Sequence, residues 1–182
     1  MIEIFAVPSP LHPAVVHFPI VLILLGSVVA VAAAFIRRWQ LPGIAAGLFV
    51  IGAMGAVTAV QTGGREGEMA GETPAIESLL DQHEEWAERT QIAAIAVALL
   101  AVGTVLITRW PAAARALGVA TAVGALVSTW CVIETGHYGG QLVYRHGAGV
   151  NLASADANEA SASKATINSK ARRTHDDDES RR

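Results

Sequence analysis

Residues Ala14 to Ile36 read AVVHFPIVLILLGSVVAVAAAFI, an apolar run whose one ionisable side chain is His17. About 20 mainly apolar residues carry a helix through the hydrocarbon core of a bilayer. Lipid offers no partner to a backbone N–H or C=O, so a run of this length must pair its own backbone as a helix. It does not read as a cleaved signal. No basic residue precedes it, while Arg37 and Arg38 follow it, the reverse of a secretory pattern.

Three more runs lie outward from this one. They are Leu41 to Val60, Ile92 to Thr108 and Ala116 to Ile133; the third run is short and extends upstream towards Trp86. The chain of 182 residues is 52% hydrophobic and 16% charged, with a mean hydropathy of +0.42. Soluble domains carry about 25% charged residues. The expected fold is therefore all-α, an integral membrane four-helix bundle over residues 1–150. Short links between the first and second runs, and between the third and fourth, make it up-down-up-down. Residues 151–182 have no aromatic side chain and are rich in Ala, Ser, Asn and charge, which reads as a disordered external tail. His175 falls in that tail, beside three aspartates.

Basic residues in short loops mark the cytoplasmic side. The first link carries Arg37 and Arg38, the third carries Arg109 and Arg115, and neither has an acid. The second link, Gln61 to Gln91, carries Arg65 and Arg89 against eight acidic residues. Both termini and the acidic link are expected outside, in a bacterial inner membrane facing the periplasm. Thr73 and Pro74 suit an N-cap and first helical position within that link. Gly43, Gly47, Gly52 and Gly55 in the second run are expected to let helices pack closely.

The single cysteine, Cys131, allows no intramolecular disulfide, and no CxxCH site for covalent haem occurs. Net charge is −3, with no basic, aromatic-interleaved patch pointing to nucleic acid. Serine and threonine are the polar residues at mid-span, at Ser27, Thr58, Thr104 and Thr121, which gives little support to a solute or proton path.

Five histidines fall at the outer ends of the runs: His12, His17, His83, His137 and His146. His17 lies roughly 6 Å into its helix, and an ionisable residue there is a functional candidate. Pro19 disturbs the helix beside it and is expected to turn it inward. Trp86, Ala87, Thr90 and Ala94 share the helical face of His83, while Glu84, Glu85 and Glu88 do not, so His83 is expected to look inward. Glu134 precedes His137 by one turn and suits an orienting carboxylate. Gly139 and Gly140 leave room for a flat ligand or a close backbone. Each histidine taken singly has a structural explanation, as a cap or a carbonyl partner. Trp39, Trp86, Trp110 and Trp130 likewise suit an interfacial belt.

Together the histidines point to a haem b, one or two per chain, held between helices by axial imidazoles. His17, His83 and His137 are the expected ligands, followed by His146 and His12, with Glu134, Gly139 and Gly140 around them. A transition-metal site on His17, His83, His137 and His146 is the alternative, although thiolates are missing. Glu134 and His137 have the spacing of a di-iron carboxylate motif, without its second copy. A non-catalytic anchor or scaffold for a periplasmic partner is the third possibility.

Two stretches, Leu11 to Ile20 (LHPAVVHFPI) and Gly139 to Val150 (GGQLVYRHGAGV), resemble the signatures of an uncharacterised bacterial four-helix membrane family, a domain of unknown function. The resemblance covers about residues 10 to 150. Some members resemble this module fused to periplasmic c-type cytochrome segments, and the family is similar to membrane b-type cytochromes. The resemblance implies importance for His12, His17, His137, His146, Gly139, Gly140 and Gly147. It strengthens the haem expectation, and the one-sided histidine cluster with the inward phase of His83 leads to the expectation of electron passage at the outer face, to or from a periplasmic cytochrome c or a quinol. A weak internal echo also occurs. The second run ends in Thr62-Gly63-Gly64, and Thr135-Gly136, with Gly139-Gly140 beyond, follows the fourth, as a duplicated helical hairpin would give.

Overall fold

The computed structural model describes residues 12–36, 38–67 and 73–147. The tail with His175, and with it the expectation of disorder there, lies outside the described residues. Four helices account for almost all of the rest: α1 (His12–Phe35), α2 (Leu41–Gly67), α3 (Pro74–Leu106) and α4 (Pro111–His146). All four are long and apolar enough to cross a membrane.

Helices α2 and α4 contain their apolar runs, α1 and α3 stop one and two residues short of the ends of theirs, and α2, α3 and α4 extend well beyond theirs at the opposite end or both. At 1.5 Å per residue, the 33 residues of α3 span about 50 Å and the 36 of α4 about 54 Å. The hydrocarbon core is only about 30 Å thick. Thr73 caps α3, its hydroxyl accepting from the Ile76 N–H at 3.4 Å, and Pro74 opens the helix where no N–H is needed. The helix then continues without a break through the acidic segment into the apolar run. Downstream, α4 continues through Glu134-Thr135-Gly136-His137 to a C-cap at Gly147, whose φ of 63° is one that glycine adopts without a Cβ clash. At the other end the turns are tight. Trp110 N–H donates to Ile107 O, and Pro111 starts α4, which places Arg115 on the helix rather than in the link.

Helix α1 packs on α2, α2 on α3, α3 on α4, and α4 back on α1. The core is built from small residues with few large ones. Ala30, Ala45, Ala53, Ala94, Ala98 and Ala125 surround Ile23, Phe49 and Val97. Gly26 and Gly124 show why these helices approach so closely. A Cβ on Gly26 would lie 3.0 Å from the Phe49 ring, and one on Gly124 would lie 2.9 Å from Val97 Cγ2. Gly52 and Gly55 likewise face α1, against Ile23 and Pro19, but Gly43 and Gly47 face nothing within 4 Å. Packing therefore accounts for two of the four glycines expected to serve it.

Val21, Leu25, Val28, Ile51, Met54, Leu99, Val123, Leu126 and Ile133 are all exposed, forming the apolar jacket that lipid would cover. Interior hydroxyls pair locally. Thr104, Thr121 and Thr135 each donate to the carbonyl four residues back. Ser27 lies within hydrogen-bond distance of Ile23 O and, at 3.0 Å, of Ala125 O on α4, and it accepts from Thr129. Ser128 is fully buried, and its hydroxyl has no partner among the described residues.

Candidate functional site: a histidine pair on two glycine notches

His12 is the first residue of α1, and it lies against the last turns of α2. Its Nδ1 is 3.0 Å from Ala59 O. A carbonyl only accepts, so Nδ1 carries the proton. Thr62 Oγ1 sits 3.3 Å from the same nitrogen. The imidazole fills the space left by Gly63, where a Cβ would fall 2.8 Å from His12 Cε1.

His83, in the third turn of α3, repeats this arrangement on α4. Its Nδ1 donates to Thr135 O at 3.0 Å, and a Cβ on Gly139 would lie 2.9 Å from His83 Cε1. The acceptor and the glycine are four residues apart in both cases, Ala59 with Gly63 and Thr135 with Gly139. One helical turn thus presents a carbonyl and a notch side by side. Two turns along α3, Thr90 Oγ1 lies 3.0 Å from Thr135 Oγ1, so Thr135 holds α3 through both its carbonyl and its hydroxyl.

The two imidazoles meet. Their ring centroids are 6.3 Å apart, with planes at 86°. Both rings are half-buried. Donation from Nδ1 to a backbone carbonyl fixes the tautomer in each and puts the lone pair on Nε2, the form in which histidine binds a metal.

The remaining expected residues are placed differently. His17 is exposed. Pro19, rather than His17, faces the bundle, buried against Gly55. Two residues are about 200° apart on a helix, so both cannot face inward, and the apolar ring took the packed side. His137 is exposed and meets its neighbour Tyr138 edge-on at 5.4 Å. His146 is exposed at the last residue of α4. Glu134 is half-buried. The space at Gly139 holds the His83 ring, and Gly140 faces nothing within 4 Å. Among the described residues, no three His, Cys, Asp or Glu side chains converge as a metal-binding group.

On the face of α3 shared with His83, Thr90 and Ala94 are buried and Trp86 and Ala87 half-buried, while Glu84, Glu85 and Glu88 are exposed. Arg89 pairs with Glu85 and lies over the Trp86 ring, 4.6 Å from its centroid, where α3 enters its apolar run. Ala59, Thr62, Gly63 and Thr135 were not singled out as site residues from the sequence. Their trace in it is the Thr-Gly echo at the ends of the second and fourth runs. The structure matches Gly63 to Gly139, so the glycine pair beyond Thr135-Gly136 carries the correspondence rather than Thr62 with Thr135.

No curated protein and no solved structure matches the chain. A family model does match, over residues 8–152, which takes in all four helices and both histidine notches. The chain belongs to DUF2231, the family described as a predicted membrane protein.

Proposed function

We propose that this chain is a b-type haem protein of the bacterial inner membrane, in which His12 and His83 would hold the haem, passing electrons at its outer face. The observation that carries this reading is the pair of imidazoles 6.3 Å apart, each with Nδ1 committed to a backbone carbonyl. The residues present fit the group. A haem takes two protein donors, which this pair supplies, whereas a bare metal ion at a structural site takes about four. Bound haem supplies reversible one-electron transfer. The chain's own contribution is to hold two rings in one tautomer on two different hairpins. A periplasmic c-type cytochrome or a quinol is the expected partner, because the pair lies at the end of the bundle that carries the acidic segment.

The same reading makes the helices run up-down-up-down, with both termini outside. The start of α1 touches the end of α2 through His12 and Gly63, and the start of α3 touches the end of α4 through His83 and Gly139. Arginines without acids in the two short links support a cytoplasmic position for that end.

A reduced-minus-oxidised optical spectrum of the purified protein, expressed with ample haem, tests the reading. Soret and alpha bands are expected, lost in His12→Ala and His83→Ala and retained in His17→Ala, His137→Ala and His146→Ala. A folded protein without those bands overturns it. The glycine notches, already filled by imidazole, favour a second reading in that event. In it the two histidines are interhelical clasps in a membrane scaffold, and their alanine variants lose stability without any chromophore to lose.

A further inference from the structure

At the end of the bundle away from the histidine pair, about 27 Å along α1 from His12 to Ala30, the four helices part round a cavity of about 640 Å³. Its size is within the roughly 300 to 1,000 Å³ of small-molecule sites. It exists because the facing positions are small. Ala33, Ala34, Ala101, Ala114 and Gly118 set the helix spacing without filling the space between them. Thr104 and Thr121 also line it, but each hydroxyl already donates to a carbonyl of its own helix, so the inner part is effectively apolar.

The rim is charged. Arg38, from the link before α2, and Arg115, from the second turn of α4, both line the cavity and are exposed. Among the described residues, none that lines it is acidic, and no Asp or Glu occurs anywhere in residues 4–65 or 90–133. Among the described residues, the only ion pair is Glu85 with Arg89, so no described carboxylate neutralises either rim guanidinium. Trp39, also in the lining, stands exposed beside Arg38, as an indole does at headgroup level. An apolar interior with two cationic forks and an indole at its mouth is complementary to an anionic amphiphile. A guanidinium matches phosphate geometrically as well as electrically. Basic pockets between spans on the cytoplasmic side are where anionic headgroups bind.

We propose that this cavity is a binding site for an anionic phospholipid, with its phosphate on Arg38 and Arg115 and an acyl chain among the alanines. The proposal does not depend on the histidine pair or on any haem. Native mass spectrometry of the full chain, released from nanodiscs of mixed phosphatidylglycerol and phosphatidylcholine, tests it. One phosphatidylglycerol is expected to stay bound in preference to phosphatidylcholine. Arg38→Gln with Arg115→Gln should weaken that retention by about tenfold to thirtyfold. Ala114→Phe, which fills the cavity and leaves both arginines in place, should abolish it. Equal retention of the two lipids overturns the proposal, as does unchanged retention in the folded double arginine variant. Displacement of the lipid by millimolar inorganic phosphate would also overturn it, because the site would then recognise the headgroup alone.

Discussion

Gly139 and Gly140 are adjacent in sequence and opposite in consequence. The missing Cβ of Gly139 is the floor of the His83 site, whereas Gly140 faces open space. Gly139→Ala should cost about 1 to 3 kcal/mol through overpacking against the imidazole, and Gly63→Ala should do the same at His12. Gly140→Ala should be neutral or stabilising by up to about 1 kcal/mol, since alanine is the better helix former. Thermal unfolding in detergent reads the difference, and equal effects at Gly139 and Gly140 would remove the notch from the account. The interior serines offer a second contrast. Ser27 joins α1 to α4 through Ala125 O and Thr129, so Ser27→Ala should cost about 0.6 to 1.7 kcal/mol, the range of interhelical hydrogen bonds in membranes. The Ser128 hydroxyl is buried without a partner among the described residues, and Ser128→Ala should leave stability unchanged or raise it.

At the scale of the element, the overrun of α3 and α4 beyond their apolar runs is what makes a site. An α3 that began at Ile92 would leave His83 in a loop. Continuous helix from Pro74 instead fixes the phase of His83, Thr90 and Ala94 on one stripe. Thr73→Ala removes the cap of that overhang. The bond is long and exposed, so the cost should sit near the low end of the usual range, about 0.5 kcal/mol. Faster amide exchange is expected over residues 74–80, with the His83 turn unchanged. Exchange rising equally across α3 would mean that the cap holds the whole helix rather than its first turns.

Across the whole molecule, the two hairpins α1–α2 and α3–α4 carry one arrangement twice. In each, an imidazole near the start of the first helix sits on a carbonyl and a glycine near the end of the second. The two ends of the bundle differ in charge, which fixes the proposed orientation. Because Cys131 is buried, introduced cysteines can report on it. In intact cells, Asp81→Cys should react with a membrane-impermeant maleimide, and Gln40→Cys should react only after permeabilisation. The reverse pattern would turn the histidine pair to the cytoplasm and exclude a periplasmic partner.

Sequence alone determined the four membrane-length helices, the N-cap at Thr73 and the separation of arginines and acids into different links. These follow from composition, run length and local chemistry, which act over a few residues. Tertiary structure decided which histidines face each other. His17 and His137 were as eligible in sequence as His12 and His83, and both are exposed. What separates them is whether a carbonyl and a missing Cβ on a different helix stand opposite the ring. That depends on the register between helices tens of residues apart in the chain, with His12 and Ala59 separated by 47 positions and His83 and Thr135 by 52. The arginine-rimmed cavity is invisible in sequence for the same reason, because a void is a property of four small surfaces brought together.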